Sequence, residues 1–265
     1  MKQRVISAVV LIAVSFTCVL LSPITRVLFF AAAGIACAYE LSRGLERLGA
    51  ACGAWVMYAY IGVQALLALF HMGFVYYVFC FTVSVFLALF YGIVNSKSGG
   101  LGAIYTVAGL AYPSFLFGLL MMISVGEIWA QTLVLACFST WVCDSFALFG
   151  GMRFGKHKLA PLVSPNKTVE GSVCGALSAI VTGVIIYLLP IFPEISLTTA
   201  VLTCFAASSM GQLGDLAESL IKRLVGLKDF SNLIPGHGGM FDRADSLLFS
   251  IPTAYLCLHL AGLGV

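Results

Sequence analysis

Charge is what this sequence has least of: Lys, Arg, Asp and Glu make up only 9% of its 265 residues, against 61% apolar side chains. That balance, with a mean hydropathy of +1.05, excludes an ordinary water-soluble domain. Paired cysteine spacing is missing too. Nine cysteines occur, but no C-x-x-C pair does, and Cys137, Cys143, Cys174, Cys204 and Cys257 sit in or beside apolar runs. A disulfide framework is therefore not expected, and the cysteines read as buried, reduced and structural. No low-complexity segment, repeat or soluble terminal domain stands out. The expectation is one integral membrane domain over 1–265, with N-terminal spans in 1–125 and the chemistry in 126–265.

What is abundant is long apolar sequence. A bilayer core needs about 20 residues of helix, and nine such runs occur, near 5–22, 27–45, 53–71, 74–94, 103–123, 128–150, 172–192, 197–217 and 245–264. They are too long for barrel strands, and a spanning segment must satisfy its own backbone, so an all-α, polytopic transmembrane helical bundle is expected. The first run follows Met1–Arg4 without a clear small-residue cleavage site and is taken as a retained span. With a cytosolic N-terminus, every one of the 14 Lys and Arg residues except Arg26 faces the cytosol, as the positive-inside rule requires.

Two cytosolic segments, about 151–171 and 218–245, carry the polar residues. The second reads Ser219-Leu220-Ile221-Lys222-Arg223, then Lys228-Asp229, then Pro235-Gly236-His237-Gly238-Gly239-Met240-Phe241-Asp242-Arg243-Ala244-Asp245. Lys222, Arg223, Lys228, His237 and Arg243 can meet phosphates through charge-assisted hydrogen bonds, and the glycines let backbone approach a ligand. A basic loop that merely touches anionic headgroups would not need Asp242 and Asp245 among its cations. Hard carboxylate oxygens beside phosphate-binding groups suggest Mg²⁺.

Immediately upstream, spacings of three, four and seven put Asp215, Glu218, Ser219 and Lys222 on one helix face where a span leaves the bilayer. An acid there is a functional candidate by default, although Glu218 can equally pair with Lys222. In the first segment, Asp144 lies within Trp141-Val142-Cys143-Asp144-Ser145-Phe146-Ala147 and is expected to be buried, needing a cation, a metal or a hydrogen bond to Ser145. Gly155-Lys156 and Ser164-Pro165-Asn166-Lys167-Thr168-Val169-Glu170-Gly171 follow. Lys167 and Thr168 can take a triphosphate or a lipid phosphate, with Glu170 orienting Lys167. Glu40 and Glu46 flank Arg43 and Arg47 at helical spacing and read as surface ion pairs. His157 reads as an ordinary interface residue.

Both segments resemble the phosphatidate cytidylyltransferase family. The second has its S-x-x-K-R, K-D and H-G-G-x-x-D-R-x-D elements in order; the first has its D-x-x-A element leading into G-K and S-P-x-K-T-x-E-G. Ala244 and Leu148 depart from the family's usual residues without touching an ionisable position. The resemblance runs from about Asp144 to Ser246. It implies transfer of a cytidylyl group from CTP to phosphatidate, giving CDP-diacylglycerol and pyrophosphate in phospholipid biosynthesis. On that footing Asp215 and Asp242 are the expected catalytic acids, and Asp144, Asp215 and Asp242 the expected ligands of Mg²⁺, with a second cation left open. Lys167, Thr168, Lys222, Arg223, Lys228, His237 and Arg243 are the expected substrate contacts. Expected partners are CTP, phosphatidate and membrane lipids, not nucleic acid; the first four spans are left between a homodimer surface and a lipid-facing scaffold. The expected location is a bacterial cytoplasmic membrane with a cytosolic active site. A lipid-head-group or polyprenol kinase is the alternative that bare charge patterns allow.

Overall fold

The computed structural model describes residues 2–95, 99–234, 236 and 238–264; Lys97, His237 and the side chains of Lys2 and Arg4 lie outside the described residues. In chain order the elements are α1 (Lys2–Leu21), α2 (Pro23–Glu46), α3 (Ala54–Leu69), α4 (Phe74–Val94), α5 (Gly99–Gly109), α6 (Phe115–Val125) and α7 (Trp129–Phe154). There follow β1 (Lys158–Ala160), β2 (Ser164–Thr168), α8 (Val169–Leu188), α9 (Leu197–Leu224) and α10 (Phe241–Leu260). The all-α expectation thus holds for the apolar runs, while the polar 151–171 segment contributes a small antiparallel hairpin, Lys158 opposite Thr168 and Ala160 opposite Ser164.

Among the described residues, five helices are long and apolar enough to cross a bilayer: Pro23–Glu46, Phe74–Val94, Gly99–Val125, Trp129–Phe154 and Val169–Leu188. Val9–Leu21 and Ala54–Leu69 are apolar but shorter. The runs expected at 197–217 and 245–264 are helical in α9 and α10, yet Ser208, Ser209 and Gln212 in one and Asp242, Arg243 and Asp245 in the other dilute their apolar character. The run expected as one helix over 103–123 is interrupted by a π-helical turn at Leu110–Ser114, where Pro113 removes a backbone donor and Tyr112 leaves helical φ/ψ.

Chain breaks follow local chemistry. Ser22 and Thr25 form a reciprocal capping box ahead of α2, with Pro23 at its first position. Arg26, the one basic residue expected outside, is 5% exposed and donates to Ser124 O at 2.8 Å and Val19 O at 3.2 Å. It thereby satisfies carbonyls in the last turns of α6 and α1, where a cation is favoured.

By internal contacts the chain divides into two units, 1–125 with 224–243, and 126–223 with 244–265. In the first unit, α2 packs against α3 and α6 around Val27, Cys37, Leu41, Met57, Ile61, Phe117 and Met121, all at most 2% exposed. Segment 224–243 belongs here because α2 holds it. Glu40, read from its spacing as a surface ion pair, is 2% exposed and accepts the N–H groups of Met240 at 3.0 Å and Phe241 at 2.8 Å as well as the Ser231 hydroxyl. Helical spacing to Arg43 could not reveal donors 200 residues away. The other half of that reading stands: Arg43 pairs with Glu46 at 3.6 Å.

In the second unit, α7 and α8 pack along their lengths, and Ile128, Leu135, Ile186, Ile195, Ala200, Cys204 and Leu258 form the apolar core. α9 meets α10 at Gly214, where a Cβ would lie 2.5 Å from Asp245 O. Only glycine allows that approach, which brings the helix carrying Asp215 against the one carrying Asp245.

Candidate functional site

The second unit gathers most of the expected residues. Thr168 ends β2 and caps α8, its Oγ1 accepting Gly171 N–H at 3.1 Å. The hairpin carries Lys167 one position earlier, and Lys167 is ion-paired with Asp215 of α9, both side chains about 30% exposed. Asp144 of α7 and Asp245 of α10 lie within electrostatic reach of each other and of Lys167, and Lys222 lies within reach of Asp245. Burial pushes the Lys167 ammonium below the usual lysine value, while the carboxylates of Asp144 and Asp245 pull it back up. Three aspartates therefore surround one lysine.

One turn along α9, Glu218 is fully buried and bound to Lys222 Nζ at 2.6 Å. That is the pairing alternative weighed from the sequence. Asp144, expected buried, is exposed; its neighbour Cys143 takes the buried position against α8 and α9. The Ser145 hydroxyl donates to Trp141 O at 2.9 Å, so a serine hydroxyl is not what answers Asp144. Glu170 does not orient Lys167: it accepts the N–H groups of Lys156 at 3.0 Å and His157 at 3.2 Å and pairs with His157 Nδ1 at 2.6 Å. It fixes the entry to the hairpin, with His157 as its exposed partner.

Sequence reasoning missed Gln212. Its amide accepts the Ser172 hydroxyl at 2.5 Å and donates to Cys143 Sγ at 3.2 Å. It ties α7, α8 and α9 together one residue before Asp144 on α7 and one turn before Asp215 on α9. The signal available was a lone amide in an apolar helix, a group that must find partners when buried. Asp245, read with Asp242 as a hard carboxylate beside the cations but absent from the three ligands the resemblance implies, lies with Asp144 within electrostatic reach of Lys167.

Of the remaining expected residues, Arg223 is exposed and donates to Val163 O at 3.1 Å, bracing the turn between β1 and β2. Lys228, Asp242 and Arg243 belong to the first unit. There Asp242 Oδ2 accepts Gly239 N–H at 2.8 Å and Phe230 N–H at 3.2 Å, closing the loop that precedes α10. Lys228 and Arg243 are exposed, and His237 lies outside the described residues.

Apolar helices that end in a cluster of three aspartates, a buried glutamate and two lysines define a helical membrane protein with a mixed acid–lysine site. The chain belongs to the cytidylyltransferase family, whose model matches residues 2–261. It is similar to the phosphatidate cytidylyltransferase of Bacillus subtilis, with 46% identity over 47% of this chain and 46% of that protein. It is also similar to the phosphatidate cytidylyltransferases of Staphylococcus saprophyticus, at 33% identity over 65% of this chain and 66% of that protein, and of Aquifex aeolicus, at 40% over 56% and 54%. The chain thus spans about half to two thirds of the length of these relatives.

Proposed function

We propose that this chain is a phosphatidate cytidylyltransferase, joining CTP and phosphatidate to give CDP-diacylglycerol and pyrophosphate. The observation that carries the reading is the Lys167–Asp215 pair flanked by Asp144 and Asp245. A pure phosphate sink would hold cations alone. In the reaction an oxygen of the phosphatidate phosphate attacks the α-phosphorus of CTP, the bond from that phosphorus to the bridging oxygen breaks, and pyrophosphate leaves. The nucleophile is already anionic, so no general base is required. Lys167, and Lys222 beyond its bond to Glu218, supply fixed positive charge for phosphate oxygens.

The donor set fits Mg²⁺. Glu218 is matched by Lys222, which leaves three aspartates against Lys167, an excess of two negative charges that a divalent ion offsets. Among the described residues no three His, Cys, Asp or Glu side chains converge on one point, and Asp215 is held by Lys167. Mg²⁺ commonly takes one or two carboxylates together with phosphate and water oxygens, so Asp144 and Asp245 would hold it, with Asp215 beside them on Lys167. When bound, the ion would neutralise triphosphate charge and stabilise the departing pyrophosphate. The role of Asp242 as ligand or catalytic acid, and those of Lys228, His237 and Arg243 as phosphate contacts, rest on the motif resemblance.

The same reading takes the chain as a nine-span protein of the bacterial cytoplasmic membrane, N-terminus and active site on the cytosolic side. The asymmetry of Lys and Arg supports it. A homodimer is compatible with this arrangement. The test is Mg²⁺-dependent transfer of label from α-phosphate-labelled CTP to a lipid-extractable product by purified protein in detergent, with Asp144→Ala as control. Label in CDP-diacylglycerol, lost in the variant, is the expected result. Label from the γ-phosphate instead would overturn it in favour of a lipid-head-group or polyprenol kinase.

A further inference from the structure

Glu40 lies in the N-terminal half, outside both motif segments, and nothing in the transfer chemistry above uses it. Its carboxylate is 2% exposed, on the face of α2 that also carries Gly44 one turn later. Glu40 Oε1 accepts from the Ser231 hydroxyl and from Met240 N–H, and Oε2 accepts Phe241 N–H. All three donors come from 224–243, the segment with Lys228, Asp242 and Arg243. Those donors bracket it: Ser231 follows Lys228, and Met240 and Phe241 directly precede Asp242.

The surroundings are shaped to this contact. A Cβ at Gly239 would sit 2.5 Å from Glu40 Oε2, so a side chain there would push on the carboxylate that the loop backbone meets. Phe230 lies over Gly44, where a Cβ would come within 3.1 Å of its ring, and packs against Phe241 with ring centroids 5.0 Å apart and planes tilted by 31°. Phe241 in turn meets Tyr112 at 5.1 Å. Asp242 Oδ2 then closes the loop on the N–H groups of Phe230 and Gly239. A carboxylate this buried needs its donors, and removing it leaves two backbone N–H groups and a hydroxyl without an acceptor.

We infer that Glu40 is a positioning residue: it latches the 228–243 loop to α2, and the N-terminal helices thereby hold the loop's charged groups in register for the triphosphate. This rests on the cytidylyltransferase reading of the loop. It assigns the N-terminal half a part in substrate binding that its hydropathy does not disclose.

The test compares wild type with Glu40→Gln, Glu40→Ala and Ser231→Ala by hydrogen exchange without substrate and by steady-state kinetics. Exchange at Met240 and Phe241 should rise about tenfold in Glu40→Ala and less in Glu40→Gln and Ser231→Ala, with α3 and α6 unchanged. The KM for CTP should rise about tenfold in Glu40→Ala while kcat stays within about threefold, and Glu40→Gln should recover part of the loss because one oxygen still accepts. If Glu40→Ala fails to fold, Ser231→Ala carries the same test with a smaller rise. Unchanged exchange in the folded variants overturns the latch. Faster exchange with unchanged KM overturns the positioning role, leaving a structural staple. An inactive wild type whose Met240 and Phe241 amides are protected sinks the transferase reading and spares the latch.

Discussion

Lys167, the penultimate residue of the second hairpin strand, is ion-paired with Asp215, which lies in the C-terminal half of α9. One end of the pair rides on a short two-stranded element and the other on a 28-residue helix. On the proposed function, an incoming phosphate would displace Asp215 from the lysine and release a carboxylate at the same moment.

Lys167→Ala should therefore lower kcat/KM by about 10²-fold or more, the scale seen when one preorganised charge partner of a reacting group is removed. Lys167→Arg should fall between, since a planar guanidinium cannot replace a point charge without shifting the pair. Steady-state kinetics in detergent decide it; a Lys167→Ala enzyme within threefold of wild type removes Lys167 from the site.

On the proposed function, Asp144→Asn and Asp245→Asn should each raise the Mg²⁺ concentration for half-maximal activity by about tenfold, because each would remove one charged oxygen offered to the ion. A Mg²⁺ titration of each variant checks this. Saturation at the wild-type concentration in Asp245→Asn would mean that its approach to Lys167 serves charge balance alone.

Glu218→Gln should destabilise the protein by about 3–5 kcal/mol, since breaking a buried pair from one side strands the other charge. The expected readout is a lowered thermal midpoint in detergent, with Glu218→Gln/Lys222→Met recovering part of the loss. Recovery is the informative part, because a neutral pair of similar volume often restores what a broken buried ion pair loses.

Gln212→Leu should cost about 1–3 kcal/mol, from the lost bonds to Ser172 and Cys143 and the stranded Ser172 hydroxyl. It should also lower kcat, as α7 and α9 lose the tie beside Asp144 and Asp215. Thermal melting and turnover of the same preparation measure both effects.

What could be read from the sequence was whatever depends on near neighbours. The apolar runs mark helices because a bilayer-length apolar segment has no other way to satisfy its backbone, and the shared face of Asp215, Glu218 and Lys222 follows from helical geometry, as the Glu218–Lys222 bond bears out. The hairpin at 158–168 was hidden because three- and five-residue strands in a polar loop leave almost no periodic signal. The exposure of Asp144 depends on which face of α7 meets α8, and α7 is apolar nearly all round. Glu40 was misread because its local spacing to Arg43 offers a plausible partner, whereas its real donors lie about two hundred residues further on.

That separation also sets an order in time. Glu40 is synthesised 200 residues ahead of Met240, an interval of roughly 10–40 s at about 5–20 residues per second. Throughout that interval the nascent N-terminal helices carry a carboxylate whose donors do not yet exist, and they must keep it hydrated. Synthesis of residues 231–241 supplies the donors that let the water go. A chain released before residue 240 would thus keep on α2 a carboxylate without the backbone donors of Met240 and Phe241.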